Sequence, residues 1–88
     1  MIITYSSRFV RSYKKLPETI KQKARKQEIL FRRDPFAFSL RTHKLAGRFD
    51  GFYSFSIDYS YRIIFRFVLG QVSTVRFYDI GDHDIYYD

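Results

Sequence analysis

The residues of this chain that could do chemistry are two histidines and a group of arginines. His83 lies between Asp82 and Asp84 near the end of the sequence, within "YDIGDHDIYYD". A histidine exchanges protons near neutral pH, and flanking carboxylates favour its charged form, which suits a general acid. The alternative is a solvent-exposed histidine in a terminal turn. We expect no metal and no cofactor, because one histidine and two adjacent aspartates do not converge easily and no further ligand is obvious.

His43 is the other histidine, and it is predicted at the edge of a sheet. Two histidines with convergent arginines suffice for metal-independent cleavage of RNA, in which a ribose 2′-hydroxyl attacks its own phosphate. One group takes the hydroxyl proton, another protonates the leaving oxygen, and an arginine stabilises the added negative charge. The spacing leaves open whether His43 faces His83.

The arginines follow a period of two, which is typical of strands. This alternation places Arg62 and Arg66 on one face, with Arg76 and Tyr78 on the corresponding face of the next strand. Arginines can grip phosphate oxygens with two donors, and tyrosines can stack on bases. Arginine and tyrosine are also common on the solvent face of a strand, but the group as a whole favours a nucleic-acid groove.

The net charge supports a polyanionic partner. Sixteen Lys and Arg stand against nine Asp and Glu, which gives +7 on 88 residues. Nucleic acid is the first candidate and an acidic protein is the second, although the charge could also serve solubility. A membrane partner is not expected, because the apolar face of each basic helix is needed to pack the hydrophobic core. The absence of cysteine, of a signal peptide and of an apolar span predicts a cytoplasmic protein.

The elements that must position these residues are predicted in the order β-α-α-β-β-β-β, as a single domain over residues 1–88. The fold class is α+β, with two N-terminal helices packed on one face of a mainly antiparallel sheet of four to five strands. The other face is expected to be free for function. A weaker strand is predicted over His43–Arg48, and Gly81 is expected to end the last strand.

Local signals support this order. Ser6 and Ser7 can cap the first helix, Pro17 separates it from the second, and Asp34–Pro35 ends the second. The apolar face of the first helix is predicted from four residues at helical spacing: Phe9, Val10, Tyr13 and Leu16. In the last strand, alternation groups Val75, Phe77 and Asp79 on one face, and Arg76, Tyr78 and Ile80 on the other.

Three segments give the chain a family resemblance: "SRFVRSYKKLPETIKQKARK", "HKLAGRFDGFYSFSIDYSYRIIFRF" and "VRFYDIGDHDIYY". Together they resemble the RelE/ParE superfamily of toxin–antitoxin toxins, and within it the RelE-like messenger-RNA endonucleases with YoeB- and YafQ-like members. The motifs that carry the resemblance are "H-x-L-x-G", "G-x-Y-S-x-x-I", "Y-R-I-I-F" and "G-x-H-D-x-x-Y". The likeness covers nearly the whole chain.

The resemblance implies a small toxin that cuts messenger RNA in the ribosomal A site without a metal. It also implies an acidic antitoxin as partner, with operator DNA bound only through the complex of the two. By position, Arg62 matches a phosphate-binding arginine, His83 the acid, Tyr87 an aromatic that stacks on a base, and His43 a proposed base. The segment that contributes positive charge includes Lys44 and Arg48.

One departure from the family concerns Ser56 and Ser60, which stand where some YafQ-like members carry a histidine and an aspartate. Arg62 and His83 are therefore expected to carry more of the chemistry. Two other functions remain open at this point. A ParE-like inhibitor of DNA gyrase shares the fold but does not require a C-terminal acid. A non-catalytic module would use its basic face only to bind antitoxin or operator DNA.

Overall fold

The computed structural model of the chain describes residues 1–71 and 73–87, and these form an α+β fold of two helices on a five-stranded sheet. Its helices and strands in chain order are β1 (Ile2–Tyr5), α1 (Ser7–Lys14), α2 (Glu18–Arg33), β2 (His43–Lys44), β3 (Tyr53–Ser56), β4 (Tyr61–Phe67) and β5 (Thr74–Asp82). Three short 3-10 helices span Phe38–Leu40, Gly47–Phe49 and His83–Tyr87. In the described part of the chain, neither α-helix is long and apolar enough to cross a membrane.

The sheet has the strand order β1-β5-β4-β3-β2. Only β1 runs parallel to its neighbour, β5, and the other three pairings are antiparallel. The predicted element order and fold class are therefore confirmed. The weak strand over His43–Arg48 is shorter than predicted, because pairing with β3 ends at Lys44 and Gly47–Phe49 turns into a 3-10 helix.

Helix α1 begins where the sequence predicts. The Ser6 hydroxyl accepts a hydrogen bond from the Phe9 backbone N–H at 2.9 Å, and it donates to the Tyr78 carbonyl oxygen at 2.6 Å. The cap therefore also ties the start of α1 to β5. Phe9 is buried, but Val10 is 40% exposed, so its predicted place on the buried face is wrong.

The main core lies between the helices and one face of the sheet. Phe31 of α2 is fully buried among Phe55, Phe65 and Phe77 of the three central strands. Its ring centroid lies 4.7 Å, 4.8 Å and 5.4 Å from theirs, respectively. Such aromatic pairs contribute about 0.5–1.5 kcal/mol each beyond the area they bury. This cluster holds α2 against β3, β4 and β5.

A β-bulge interrupts the last strand. The register between β4 and β5 shifts by one residue between Ile64 and Phe65, which leaves Tyr78 as an extra residue on β5. An inserted residue exchanges the two faces beyond it, so Ile80 enters the main core. Strict alternation had predicted Asp79 there instead, and that prediction is wrong.

The other face of the sheet is not free, contrary to the prediction. Phe49, Ile64 and Ile85 form a second buried cluster on it. The partly buried residues that pack against this cluster are Leu45, Phe52, Tyr78 and Tyr86. The segment after β2 and the C-terminal 3-10 helix thus cover part of this face.

The C-terminal helix packs closely on the end of β5, which runs to Asp82, one residue beyond the predicted end. The Tyr86 hydroxyl and the Ser54 hydroxyl share a hydrogen bond of 2.8 Å. A Cβ added at Gly81 would lie 2.3 Å from Ile85 Cγ2, so only glycine permits this approach. The tail is therefore a packed element, and it fixes the starting point of the helix that carries His83.

Candidate functional site

Arg62 and His83, far apart in sequence, line one cleft of about 720 Å³. Arg62 reaches it from β4, and His83 from the first residue of the C-terminal helix. The other residues that line this cleft are Ser39, Arg41, Ser56, Ile57, Asp58, Tyr59 and Ser60. A guanidinium and an imidazole therefore line the same cleft, together with four side chains that carry a hydroxyl group.

The register of the sheet explains this meeting. Arg62 pairs with Ser56 on one side and with Gly81 on the other. Its side chain is half-buried, and Nη1 donates a hydrogen bond to the Ser56 hydroxyl at 3.2 Å. Because Gly81 lies opposite Arg62 and His83 follows two residues later, both side chains line the same cleft. Ser56 thus orients the guanidinium.

His83 is exposed, and its partner is one of the two predicted aspartates. Nε2 lies 3.5 Å from Asp84 Oδ1, which makes an ion pair when the ring is protonated. Asp82 instead accepts a hydrogen bond from the Asp84 backbone N–H at 2.9 Å. Asp82 therefore shapes the turn, while Asp84 contacts the imidazole.

These same three residues converge more than the sequence suggested. One possible ligand atom from each of Asp82, His83 and Asp84 lies within 4.8 Å of the others. The expectation that they do not converge easily is wrong, because a 3-10 turn folds consecutive residues towards one another. Exposed acidic groups often stand this close without an ion, so this spacing alone does not make a metal site.

His43 is exposed on β2 and lies outside the residues that line the cleft. It pairs with Ser54, which puts it on the same sheet face as Arg62. Two strand spacings and two residue rises separate their Cα atoms by about 12 Å. His43 Nδ1 lies 3.0 Å from the Arg41 carbonyl oxygen. Since a carbonyl only accepts, Nδ1 is the donor, and Nε2 of the neutral ring keeps the lone pair that a base requires.

The predicted binding residues Arg66, Arg76 and Tyr78 do come together, in a second cleft of about 260 Å³. Arg66 and Arg76 are paired directly across β4 and β5. The Arg66 guanidinium lies 5.7 Å from the Phe52 ring centroid, and Arg76 donates to the Thr4 hydroxyl at 3.2 Å. Among the ion pairs of the described residues, neither arginine has a carboxylate partner.

The Tyr78 ring is less available for stacking than predicted. It is half-buried, lies 5.2 Å from the Phe52 ring centroid and packs beneath the Arg8 guanidinium at 5.6 Å. It therefore builds the floor of the second cleft. The side chain of Tyr87, predicted as the stacking aromatic, lies outside the described part of the structure.

Lys44 and Arg48 are both exposed, as residues that contact a polyanion must be. Lys44 lines a third cleft, of about 710 Å³, which Arg66 also lines. Arg48 lies over the Phe49 ring, 5.2 Å from its centroid. The predicted cations thus extend the basic surface away from the Arg62–His83 cleft and do not enter it.

Sequence reasoning missed Arg41 and Tyr59, which both line the Arg62–His83 cleft. Arg41 has a φ of 52°, a left-handed conformation that is uncommon for residues other than glycine. Nothing in "LRTHKL" marks it. Tyr59 lies in "DYSY", the turn between β3 and β4, and the residues of a turn do not show which cleft its tip borders.

Asp58 fixes that turn. Oδ1 accepts hydrogen bonds from the backbone N–H groups of Ser60 and Tyr61 at 2.9 Å and 2.8 Å, and Oδ2 lies 3.3 Å from Lys23 Nζ. Burial raises the pKa of the Asp58 carboxyl, but the two backbone hydrogen bonds and Lys23 outweigh it and lower the pKa. The carboxylate is therefore charged at neutral pH, and it joins the cleft wall to α2.

No protein-family model matches the chain, and no curated protein matches it either. Solved structures do match. YafQ from E. coli is 18% identical, with a TM-score of 0.78 over 98% of this chain and 97% of that one. A YoeB/ParE toxin from Agrobacterium tumefaciens is 20% identical, with a TM-score of 0.77 over 94% of this chain and 99% of that one.

A third match is the RelBE2 toxin–antitoxin complex from Mycobacterium tuberculosis. It is 18% identical, with a TM-score of 0.75 over 93% of this chain and 96% of that one. Each of the three matches covers at least 93% of this chain. The chain therefore shares the fold of these YafQ, YoeB/ParE and RelBE2 structures, and this is the fold that its sequence resemblance predicted.

Proposed function

We propose that this protein is the toxin of a type II toxin–antitoxin system and that it cleaves messenger RNA in the ribosomal A site. The observation that carries the proposal is the placement of Arg62 and His83 in one cleft, where a phosphate and a proton donor are needed together. The shared fold supports it, because the matching structures include toxins and toxin–antitoxin complexes.

The proposed reaction is an internal transfer of the phosphoryl group. The His43 Nε2 takes the proton of a ribose 2′-hydroxyl, and O2′ then bonds to the adjacent phosphorus. Arg62 holds two non-bridging phosphate oxygens and stabilises the negative charge that develops on them. The P–O5′ bond breaks, and the His83 imidazolium gives its proton to O5′. The products are a 2′,3′-cyclic phosphate and a 5′-hydroxyl, and no metal or cofactor is required.

His43 is the base that the geometry supports best. Its Nδ1–H is occupied by the Arg41 carbonyl, which leaves Nε2 as the acceptor. It shares a sheet face with Arg62 at a Cα separation of about 12 Å, so side chains from both can reach a nucleotide that lies between them. In the free protein the two are not in contact, and catalytic contacts often close only around substrate.

The basic surface beyond the cleft would bind ribosome and message. Like charges directly opposite one another on neighbouring strands destabilise a sheet, by up to about 1 kcal/mol per pair. The Arg66–Arg76 pair carries that cost without a carboxylate partner among the described residues. A polyanion bound between them would attract both arginines and relieve their repulsion. Binding of this kind weakens as the salt concentration rises.

An acidic antitoxin would be the partner that inhibits the toxin. Structures of YoeB with YefM and of YafQ with DinJ show that matching toxins form such complexes. An acidic segment that folds on the basic face would cover it. Operator DNA would then be bound only through the complex. Since translating ribosomes are its target, the toxin would act in the cytoplasm.

Two substitutions test this mechanism against the gyrase alternative. His83→Gln keeps a hydrogen-bonding side chain but cannot exchange protons near neutral pH, so cleavage should fall about 10²–10⁴-fold while ribosome binding survives. Arg62→Lys keeps the charge but loses the planar fork, so binding should weaken as well.

The measurement is a map of 5′ ends on ribosome-bound message, together with chemical identification of the new 3′ end. We expect a 2′,3′-cyclic phosphate and no cleavage of a message that carries 2′-deoxyribose at the cleavage site. Full activity of His83→Gln would contradict the mechanism. Inhibition of DNA gyrase with no RNA cleavage would favour the ParE-like alternative, which makes no use of the Arg62–His83 pair.

A further inference from the structure

Tyr59 lies at the tip of the β3–β4 hairpin and is 96% exposed, the most exposed large apolar or aromatic side chain among the described residues. Single exposed apolar residues are common on protein surfaces and need no explanation. This one, however, lines the same cleft as Arg62 and His83. An exposed aromatic ring beside a phosphate-binding cation is the combination that single-stranded nucleic acids require.

The turn that carries Tyr59 is held firmly. The residues on both sides are fixed, because Asp58 accepts hydrogen bonds from the backbone N–H groups of Ser60 and Tyr61. The Asp58 carboxylate is held in turn by Lys23 of α2, at 3.3 Å. The ring therefore projects from a rigid turn, so less conformational entropy is lost when a nucleobase binds to it.

The ring of Tyr59 has no evident structural role. Among the described residues, it makes no contact with another aromatic ring and no side-chain hydrogen bond. By contrast, Tyr53, Tyr78 and Tyr86 all pack in the two apolar clusters. The Tyr59 ring contributes nothing to the core and lies on a turn that hydrogen bonds hold in place, so it is available to a ligand.

We propose that Tyr59 stacks on a nucleobase next to the scissile phosphate and so positions the RNA in the Arg62–His83 cleft. This inference rests on the proposed function and deepens it. Arg62 would hold the phosphate, and the base attached to a neighbouring ribose would lie against the Tyr59 ring. Stacking tolerates every base, but its strength differs among them, so Tyr59 would also influence which codons are cut.

The experiment compares Tyr59→Phe, Tyr59→Leu and Tyr59→Ala with the wild type on ribosomes programmed with a defined message. Tyr59→Phe keeps the π face and should cleave within about twofold of the wild type. Tyr59→Ala should lower kcat/KM by about 5- to 150-fold, the usual effect of removing one stacking partner. Tyr59→Leu keeps apolar area without a π face and should resemble the alanine variant.

A binding readout separates stacking from a general loss of activity. A message that carries 2-aminopurine in the A-site codon and 2′-deoxyribose at the cleavage site reports stacking through fluorescence quenching without being cut. The wild type and Tyr59→Phe should quench it, and the other two variants should not. Ile29→Ala is the matched control, because Ile29 is a 60% exposed apolar residue on α2, outside all three clefts. It should behave as the wild type in both assays.

The outcomes distinguish this inference from the function on which it rests. If the wild type cleaves and Tyr59→Ala matches it in rate, codon pattern and quenching, the stacking role is refuted and the proposed function stands. If the wild type cleaves no ribosome-bound message, both are refuted. Unchanged melting temperatures of the Tyr59 variants would confirm that the losses do not come from misfolding.

Discussion

Replacing Gly81 with alanine tests whether the packing of the C-terminal helix positions His83. A Cβ at this position would lie 2.3 Å from Ile85 Cγ2, and both heavy atoms within 4 Å of it belong to Ile85. Carbon atoms in ordinary contact are separated by at least about 3.5 Å, so the gap falls short by about 1.2 Å. Ile85 lies in the same short helix as His83, two residues further along. Ile85 is buried against Phe49 and Ile64, which restrict its side chain, so we expect the helix to shift by about 1 Å to accept the methyl group.

The expected magnitude follows from that displacement. A misplacement of about 1 Å in a catalytic group can lower the rate of reaction about 10²-fold. Inserting a methyl group into a packed contact should lower the free energy of unfolding by about 1–3 kcal/mol. Gly81→Ala should therefore reduce cleavage about 100-fold in a protein that still folds.

The assay is single-turnover cleavage of ribosome-bound message, with thermal unfolding measured in parallel. Ile85→Ala removes Cγ2, the atom that clashes, so Gly81→Ala should have little further effect on stability or rate in the Ile85→Ala background. If Gly81→Ala melts at a lower temperature yet cleaves at the wild-type rate, the link from the packing of Ile85 to the placement of His83 is refuted.

Two further predictions concern charge. Replacing Arg66 and Arg76 together with Gln removes two like charges that face each other, so the free energy of unfolding should stay unchanged or rise by a few tenths of a kcal/mol. The slope of log K for ribosome binding against log salt concentration should become shallower by about 1–2. An unchanged slope would refute their contact with phosphate. Asp58→Asn keeps the hydrogen-bond acceptor but removes the charge. Because the folded-state pKa of Asp58 lies below its ordinary value of 3.8, its charge stabilises the protein above that pH and ceases to do so as the pH falls through the folded pKa. Urea unfolding should therefore show a deficit for Asp58→Asn at pH 7 that shrinks below about pH 4, and a deficit independent of pH would contradict this.

The elements that the sequence predicted well are those with a local physical cause. The Ser6 cap and the helix end at Asp34 depend on residues next to one another in the chain, and both are present. The bulge at Tyr78 is a property of pairing between two strands, and no glycine or proline marks it. Strict alternation therefore failed there.

The candidate site was predictable only in part, because residue types can be read from the sequence and the register of strand pairing cannot. Arg62 and His83 were identifiable by residue type and by resemblance, but their meeting depends on the register that pairs Arg62 with Gly81. The docked tail was missed because a 3-10 helix of five residues is too short to show a period, although Ile85 and Tyr86 are its apolar contacts. Arg41 was missed because no neighbouring residue signals that its backbone adopts a left-handed conformation.

The distribution of ion pairs shows why a single surface would serve both RNA and antitoxin. Among the described residues, the Lys/Arg–carboxylate pairs all involve a cation from α1 or α2: Arg8–Asp79, Lys23–Asp58, Arg25–Glu18 and Arg32–Glu28. Cations of the helices thus pair with four of the nine Asp and Glu residues of the chain.

The arginines of β4 and β5 have no such pairs among the described residues, so their charge is not neutralised by a carboxylate within the clefts that they line. Clefts lined by one sign of charge attract oppositely charged ligands and speed their association. RNA phosphates and an acidic antitoxin would therefore be drawn to the same arginines, Arg62, Arg66 and Arg76. On the proposed function, an antitoxin bound there inhibits by occupying the surface that the message needs, and no change in the fold of the toxin is required.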